Sequence, residues 1–255
     1  MILNFSYLNR GRSDAPSPII LPAYWGHYGD SQTAGRESEA TAKNPRTIFK
    51  TMWDASYTPA TYVDTSTSSG VSGRILNATV SYCLGRVANF GGTAWIHVQE
   101  SGGQDSLDDS QETVEAFGTT FYDSWVSIAA TYPGGLYSYE TAHSFSPARK
   151  AQPYRNWDTY NTEMRAQVAA LALVGITVHI VETEARIDSL IAELGYDTVC
   201  FPDTDPNAYH YQGIGNFMIA LTMFDTFNYN VGSLVHSGIN LNSSHKATAV
   251  AIFTG

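Results

Sequence analysis

The hydrophobic pattern of the chain alternates between short apolar runs and longer stretches in which apolar residues recur every three or four positions. The short runs predict strands over residues 19–28, 61–64, 93–99, 176–181 and 198–201. The longer stretches predict helices over residues 37–55, 75–87, 109–130, 157–174, 183–194 and 213–227. This alternation predicts an α/β protein in which helices cover both faces of a parallel sheet, a three-layer α/β/α sandwich.

Turn-forming residues divide this pattern and indicate where helices and strands end. Pro45 is expected to interrupt the helix over residues 37–55. Residues 132–153 are rich in Pro, Gly and Tyr, and we expect an ordered loop over the core. We expect an extension over residues 1–17, one domain over residues 18–227, and a polar tail over residues 228–255 packed on that domain. The tail carries one apolar patch, at residues 247–253.

Composition narrows the classes of protein that remain. The 255 residues are 43% hydrophobic, enough for a sizeable core. The formal net charge is −10 and Lys and Arg form no run, which argues against a nucleic-acid partner. The spacing of Cys83 and Cys200 implies no metal site, and no window approaches the 18 apolar residues of a membrane helix. No signal peptide is visible, so the compartment stays open between secretion with a removed leader and the cytoplasm.

Small and polar residues collect where the predicted strands end. Ligands of open parallel sheets bind at the carboxyl ends of the strands, so we expect these segments to lie together. The segments after the first, second, third and fifth strands are GDSQTAG (29–35), SGVSG (69–73), ESGGQD (100–105) and DTDPNAYH (203–210). They contain a serine among glycines and a histidine, and a serine hydroxyl needs such a base to take its proton. The structural alternative for GDSQTAG is a turn that caps a helix or cradles a phosphate.

These segments resemble, in order, the sequence blocks of the SGNH (GDSL-like) hydrolases. GDSQTAG resembles the block GDSxTxG that holds the nucleophile, which implies that role for Ser31. The second and third blocks imply that Gly73 lends a backbone N–H, and Gln104 a side-chain amide, to the oxyanion hole. AYHYQGIGNFMIA resembles the last block and implies that His210 is the general base.

The resemblance covers about residues 18–226 and carries its own expectations about fold and chemistry. It implies a flavodoxin-like sandwich and ester hydrolysis through an acyl-serine intermediate, with no cofactor and no metal. It implies a small-molecule or polysaccharide ester as the partner, and an acetylesterase acting on carbohydrate in particular. The low charged fraction, 15%, and the 16 tyrosines agree with a neutral sugar ligand, although a tyrosine-rich surface or subunit interface explains them equally well.

Two positions depart from the family pattern. The acidic residue expected three positions before His210 is Asn207, so Asp205, then Asp203, is expected to orient the imidazole. Asn207 itself, or a Ser-His dyad, is the alternative. Gln104 stands where the family has Asn, and Gln99 is the alternative amide donor.

The remaining candidates concern substrate and supporting residues. We expect Asp30, Arg36 and Tyr209 to contact substrate. His27 and His179 are interpreted as structural residues, and His97 as a core residue with a supporting role near the site as the alternative. Two other functions stay open: a lipase or thioesterase for longer acyl chains, and a non-catalytic carbohydrate-binding protein with the same fold.

Overall fold

The computed structural model describes residues 17–22, 24–29, 43–56, 63–64, 67–68, 94–98, 113–141, 157–201, 210–229 and 238–255. The strands in this part are β1 (Tyr24–Gly29), β2 (Val63–Asp64), β3 (Thr67–Ser68), β4 (Ala94–Val98), β5 (Leu136–Glu140) and β6 (Val178–Val181). The helices are α1 (Pro45–Ser56), α2 (Val114–Thr131), α3 (Trp157–Leu173), α4 (Glu184–Leu194), α5 (Tyr196–Val199), α6 (Gly213–Thr226) and α7 (Ser243–Thr254).

All these strands pair in parallel, in the order β2-β1-β4-β5-β6. β3 pairs with the end of β1 in the same register in which β2 pairs with its start, so the two short strands follow one line along the same edge. The chain therefore goes from β1 to one edge and returns to β4 on the other side, which makes the space between β1 and β4 the switch point of a doubly wound sheet. The predicted α/β/α sandwich with a parallel sheet is confirmed.

The face of the sheet covered by α1 and α6, called the α6 face below, is built on aromatic stacking. The rings of Trp25 and Trp95 stack at 4.8 Å on adjacent strands. Phe49 of α1 meets both indoles edge-on and stacks on Phe224 of α6 at 4.2 Å. Offset and edge-on ring contacts add about 0.5–1.5 kcal/mol per pair to the area that they bury.

The opposite face, covered by α2 and α3, carries a second core. Strand side chains alternate between faces, so Ile96 and Tyr139 point away from the α6 face. Phe121 of α2 meets the ring of Tyr139 edge-on at 4.9 Å, and Phe117 packs against Tyr160 of α3 at the same distance. The strands are therefore buried on both sides, which explains their compact apolar runs.

Helix α6 is buried over residues 213–224, because the sheet, α1, α4 and α7 surround it. A helix that is apolar all round requires such cover. The ring of Phe253 in α7 lies under the Arg186 guanidinium at 4.5 Å, and Arg186 also donates to Asp225 at 2.6 Å. The α7 helix begins at an Asn242 cap and buries Ala249. The apolar patch of the tail is thus one face of a helix that packs on α6.

Two element predictions are wrong. The run over residues 198–201 is not a core strand: Gly195, with φ of 81°, ends α4, the short helix α5 follows, and Cys200 makes a single bridge to Tyr211. The loop predicted over residues 132–153 contains β5, whose alternating LYSYE sequence places polar side chains on a buried face. Both errors have the same cause. β-branched and turn residues were assigned from local sequence, but their environment depends on neighbours that are distant in sequence.

Element ends differ from the sequence prediction in two further places. Pro45 begins α1 instead of interrupting a longer helix, since the first helical position needs no N–H, and Asn44 caps it by accepting from Thr47 N at 2.7 Å. The first strand begins at Tyr24, and residues 17–22 are irregular. The helix predicted over residues 75–87 lies outside the described residues.

Candidate active site

Residues that adjoin the predicted motifs lie at the carboxyl edge of the sheet. β1 ends at Gly29, the first residue of GDSQTAG, and β4 ends at Val98, which pairs with Tyr28. Ser68, the last residue of β3, pairs with Gly29 and directly precedes SGVSG.

Of the predicted site residues, the structure describes His210. The others lie outside the described residues, and their arrangement stays a prediction: Asp30, Ser31, Arg36, Gly73, Gln99, Gln104, Asp203, Asp205, Asn207 and Tyr209.

His210 is buried, with 2% of its surface exposed. It lies in a short segment whose backbone is hydrogen-bonded to the end of α5. Its carbonyl accepts from Phe201 N at 3.0 Å, and Gln212 N donates to Val199 O at 2.8 Å. Tyr211 between them makes the antiparallel bridge to Cys200. These main-chain bonds on both sides hold the backbone of His210 in place immediately before α6.

The direction of α6 places His210 toward the carboxyl edge of the sheet. Phe227, just after α6, accepts from Ile19 N, and Ile19 precedes β1, so the helix ends at the amino end of the sheet. The first turn of α6 lies about 20 Å away along the helix axis, at the carboxyl end. There Asn216 donates from Nδ2 to the Lys43 carbonyl at 2.9 Å, which ties α6 to the segment that enters α1.

Gly215 is required by the packing next to His210. A Cβ at this position would lie 2.8 Å from Val199 O and 2.9 Å from the Tyr211 ring. Backbone on one side and a buried ring on the other leave no room for a side chain. The second glycine of GIGNF, Gly215, is thus explained by the close approach of α6 to the segment that carries His210.

A row of polar side chains crosses the α6 face just below the carboxyl edge. His27, His97, Ser138 and His179 are paired in register on β1, β4, β5 and β6. The first three are fully buried, and so is Glu140, two residues beyond Ser138. Sequence reasoning noted the histidines one by one and missed Ser138 and Glu140, because their strand was assigned to a loop.

Specific contacts join this row. Ser138 Oγ lies 2.8 Å from both Trp95 Nε1 and His97 Nδ1, while His97 Nε2 lies 3.6 Å from a Glu140 carboxylate oxygen. Burial first, and the charge of His27 second, lower the pKa of His97 well below its usual range. His97 is therefore neutral at neutral pH.

A cavity of about 540 Å³ opens beside the first turn of α6. Its lining is mostly polar and includes Lys43, Asp197, Gln212, Asn240, Asn242 and His245. These groups offer both donors and acceptors, which suits a ligand with several hydroxyl groups. In the described part of the chain, no three His, Cys, Asp or Glu side chains are arranged to hold a metal ion.

Comparison with known proteins identifies the fold. No protein-family model matches this sequence, and no curated protein matches it. Solved structures do: an acetylxylan esterase from Geobacillus stearothermophilus matches with a TM-score of 0.58 and 12% identity over 84% of this chain and 98% of that one. The family 3 carbohydrate esterase of Clostridium thermocellum matches with a TM-score of 0.57 and 16% identity, over 80% and 94% of the two chains.

This protein has the SGNH hydrolase fold. A member of the lipolytic G-D-S-L family from Veillonella parvula is similar as well, with a TM-score of 0.54 and 15% identity over 80% of this chain and 97% of that one. The SGNH hydrolase fold agrees with the resemblance drawn from the motifs. No helix that the structure describes is long and apolar enough to cross a membrane.

Proposed function

We propose that this protein is a serine esterase that hydrolyses small acyl esters, with O-acetyl groups on carbohydrate as its substrate class. The position of GDSQTAG carries the proposal. The motif begins on the last residue of β1, at the switch point of an SGNH hydrolase fold. The buried His210 lies at the same edge of the sheet and supports the assignment.

In the proposed reaction the Ser31 hydroxyl oxygen attacks the ester carbonyl carbon while His210 takes the hydroxyl proton. The tetrahedral intermediate collapses, and the alcohol leaves with the proton returned by His210. Water then attacks the acyl-Ser31 carbonyl with His210 again as base, which releases the carboxylic acid and restores Ser31. Asp205, or Asp203 in second place, orients the imidazole.

The oxyanion of both intermediates is held by the Ser31 N–H, the Gly73 N–H and the Gln104 side-chain amide. Such donors matter because charge develops on the carbonyl oxygen only in the transition state. Losing one donor typically costs about 10²–10³ in rate.

The substrate class is supported by the chemistry beside the first turn of α6. The polar cavity presents donors and acceptors to hydroxyl groups. Two structural neighbours are an acetylxylan esterase and a carbohydrate esterase by name. The lipolytic neighbour favours a longer acyl chain instead, and hydrolysis rates across p-nitrophenyl acetate, butyrate and octanoate distinguish the two classes.

The replacement Ser31→Ala tests the enzyme assignment directly. We expect p-nitrophenyl acetate hydrolysis to fall at least about 10³-fold with the thermal unfolding midpoint unchanged. A fluorophosphonate probe should label Ser31 in the unaltered protein, because only an activated serine reacts. Ser189→Ala is the matched control, since Ser189 lies on the exposed surface of α4, bonded to Ala185 O. Activity retained in Ser31→Ala would refute the assignment.

A further inference from the structure

The cavity beside the first turn of α6 lies where four separate parts of the chain meet. Its lining includes Asp197 of α5, Lys43 just before α1, Gln212 at the N-cap of α6, and residues 240–242, which lead into α7. Its volume of about 540 Å³ is within the range of about 300–1,000 Å³ that small-molecule sites have. The C-terminal tail therefore supplies part of the wall of a ligand-sized cavity.

Hydrogen bonds between distant parts of the chain hold these walls in place. Asn216 Nδ2 donates to the Lys43 carbonyl oxygen at 2.9 Å, which joins α6 to the segment that enters α1. Lys246 Nζ of α7 donates to the Ile239 carbonyl oxygen at 2.9 Å, which fixes the segment over residues 240–242 to its own helix. The cavity is thus formed before a ligand arrives, and binding does not have to order its walls.

Gln212, in the lining of this cavity, keeps unused hydrogen-bonding capacity. It occupies the N-cap position of α6, yet its side chain makes no hydrogen bond to the first turn of the helix. Its Oε1 atom is buried and has no hydrogen-bond partner. A buried acceptor without a partner is costly, so Oε1 favours a ligand that donates a hydrogen bond. The first N–H groups of a helix have no partner within it and favour a ligand that accepts.

The mixture of lining groups selects a neutral ligand that carries several hydroxyl groups. Lys43 and Asp197 bring one formal charge of each sign, so neither an anion nor a cation meets a uniformly favourable surface. The side-chain amides of Gln212, Asn240 and Asn242 add further donors and acceptors. A hydroxyl group both donates and accepts, so a sugar ring can satisfy this set, whereas an ionised phosphate supplies acceptors alone.

We propose that this cavity is a saccharide-binding subsite, which holds a sugar unit of the substrate other than the unit that carries the acyl group. The inference rests on the proposed function. Gln212 follows His210 by two residues, which places its backbone within about 7 Å of the backbone of the proposed base. An oligosaccharide is long enough to occupy both places, whereas a small acetate ester is not. Residues 240–242 of the C-terminal tail thereby contribute to substrate recognition.

The location of binding is tested without turnover, in isotope-labelled Ser31→Ala protein titrated with the neutral oligosaccharide xylotetraose. The side-chain amide NMR signals of Gln212, Asn240 and Asn242 should move during the titration. The signal of Gln167, on α3 at the opposite face of the sheet, should not. Cavity signals that stay in place, or that move with inorganic phosphate and not with xylotetraose, refute the subsite.

Two substitutions test the contribution of single lining residues. Asp197→Ala and Asn240→Ala should each weaken xylotetraose binding about 3- to 10-fold, as expected for the loss of a hydrogen bond. Both side chains are exposed, so the thermal unfolding midpoint should change little. Asp188→Ala is the matched control, because it removes an exposed aspartate from α4 outside the cavity and should leave binding unchanged.

Kinetics then show whether the cavity serves the reaction. In Asp197→Ala and Asn240→Ala, the ratio of kcat/KM for acetylated xylotetraose to kcat/KM for p-nitrophenyl acetate should fall about 3- to 10-fold, mainly through KM. A purely structural effect would lower both values together and leave the ratio unchanged. Unaltered xylotetraose binding in both variants refutes the subsite even if Ser31→Ala is inactive, whereas an active Ser31→Ala refutes the esterase assignment itself.

Discussion

Among single residues, His97 shows how burial is linked to stability. Its imidazole has no contact with water, and its pKa is lowered well below the usual 6.5 by burial and by the charge of His27. The unfolded chain takes up a proton near pH 6.5 that the folded chain does not bind. The stability that neutral His97 contributes is therefore complete above about pH 6.5 and is lost as the pH falls toward the folded-state pKa.

We predict that the free energy of unfolding decreases between pH 7 and pH 5 and that His97→Gln reduces this decrease. One proton difference corresponds to a slope of up to about 1.4 kcal/mol per pH unit. Burial lowers the pKa of His179 as well, so part of the slope should remain in the variant. Urea unfolding at the two pH values measures it. An identical slope in both proteins would show that His97 binds its proton as readily in the folded chain as in the unfolded chain, which contradicts the prediction.

For individual residues, the sequence predicted which side chains are buried but not which of them contact each other. The sequence indicates a structural role for His27 and a core position for His97, and both side chains are buried. Glu140 and Ser138 could not be linked to them, because the contacts join residues about 40 positions apart and depend on strand register. Periodicity describes which side of a strand a residue occupies; it does not describe which residue stands opposite.

At the scale of elements, the start of α6 controls the segment that carries His210. Ala is a better helix former than Gly by about 1 kcal/mol, but a Cβ at residue 215 would meet the Val199 carbonyl at 2.8 Å. We predict that Gly215→Ala lowers kcat at least about 10-fold and destabilises the protein by about 1–3 kcal/mol. Ester hydrolysis and thermal unfolding measure the two effects.

Gly118→Ala in α2 is the control for that prediction. The nearest atoms to a Cβ there belong to the flexible side chain of Glu163 and not to backbone, and α2 covers the opposite face of the sheet. Activity should be unchanged. Equal kinetic losses in both variants would mean that general destabilisation, and not displacement of His210, explains the effect.

Whether a long segment forms a helix or a strand was predictable from the sequence. Which other elements it packs against was less predictable. Helices α2, α3, α4 and α6 and strand β4 formed where apolar spacing indicated, because their buried faces are continuous in sequence. Strand β5 was missed, since its polar residues face other buried polar groups in place of water. The run over residues 198–201 was assigned to a strand from composition, yet β6 occupies the edge of the described sheet and Cys200 pairs with Tyr211.

At the scale of the whole molecule, α7 completes the α6 face. Ala249 is fully buried in this helix, while Ala251 two residues later is exposed. We predict that Ala249→Asp destabilises the protein by about 2–4 kcal/mol, because it buries a carboxylate against α6, and that Ala251→Asp has little effect. Denaturant unfolding of the pair tests this. Equal stability would mean that α7 does not remain packed on α6 in solution.

The cover of α6 by α7 has a consequence for how the chain folds as it is synthesised. Residues 213–224 can leave water only when residues 243–254 are available to pack on them. On the ribosome the growing chain therefore exposes this apolar helix until those later residues emerge from the exit tunnel. During that interval a chaperone that binds apolar segments should bind the nascent chain, and a ribosome stalled before residue 243 should hold it in that state.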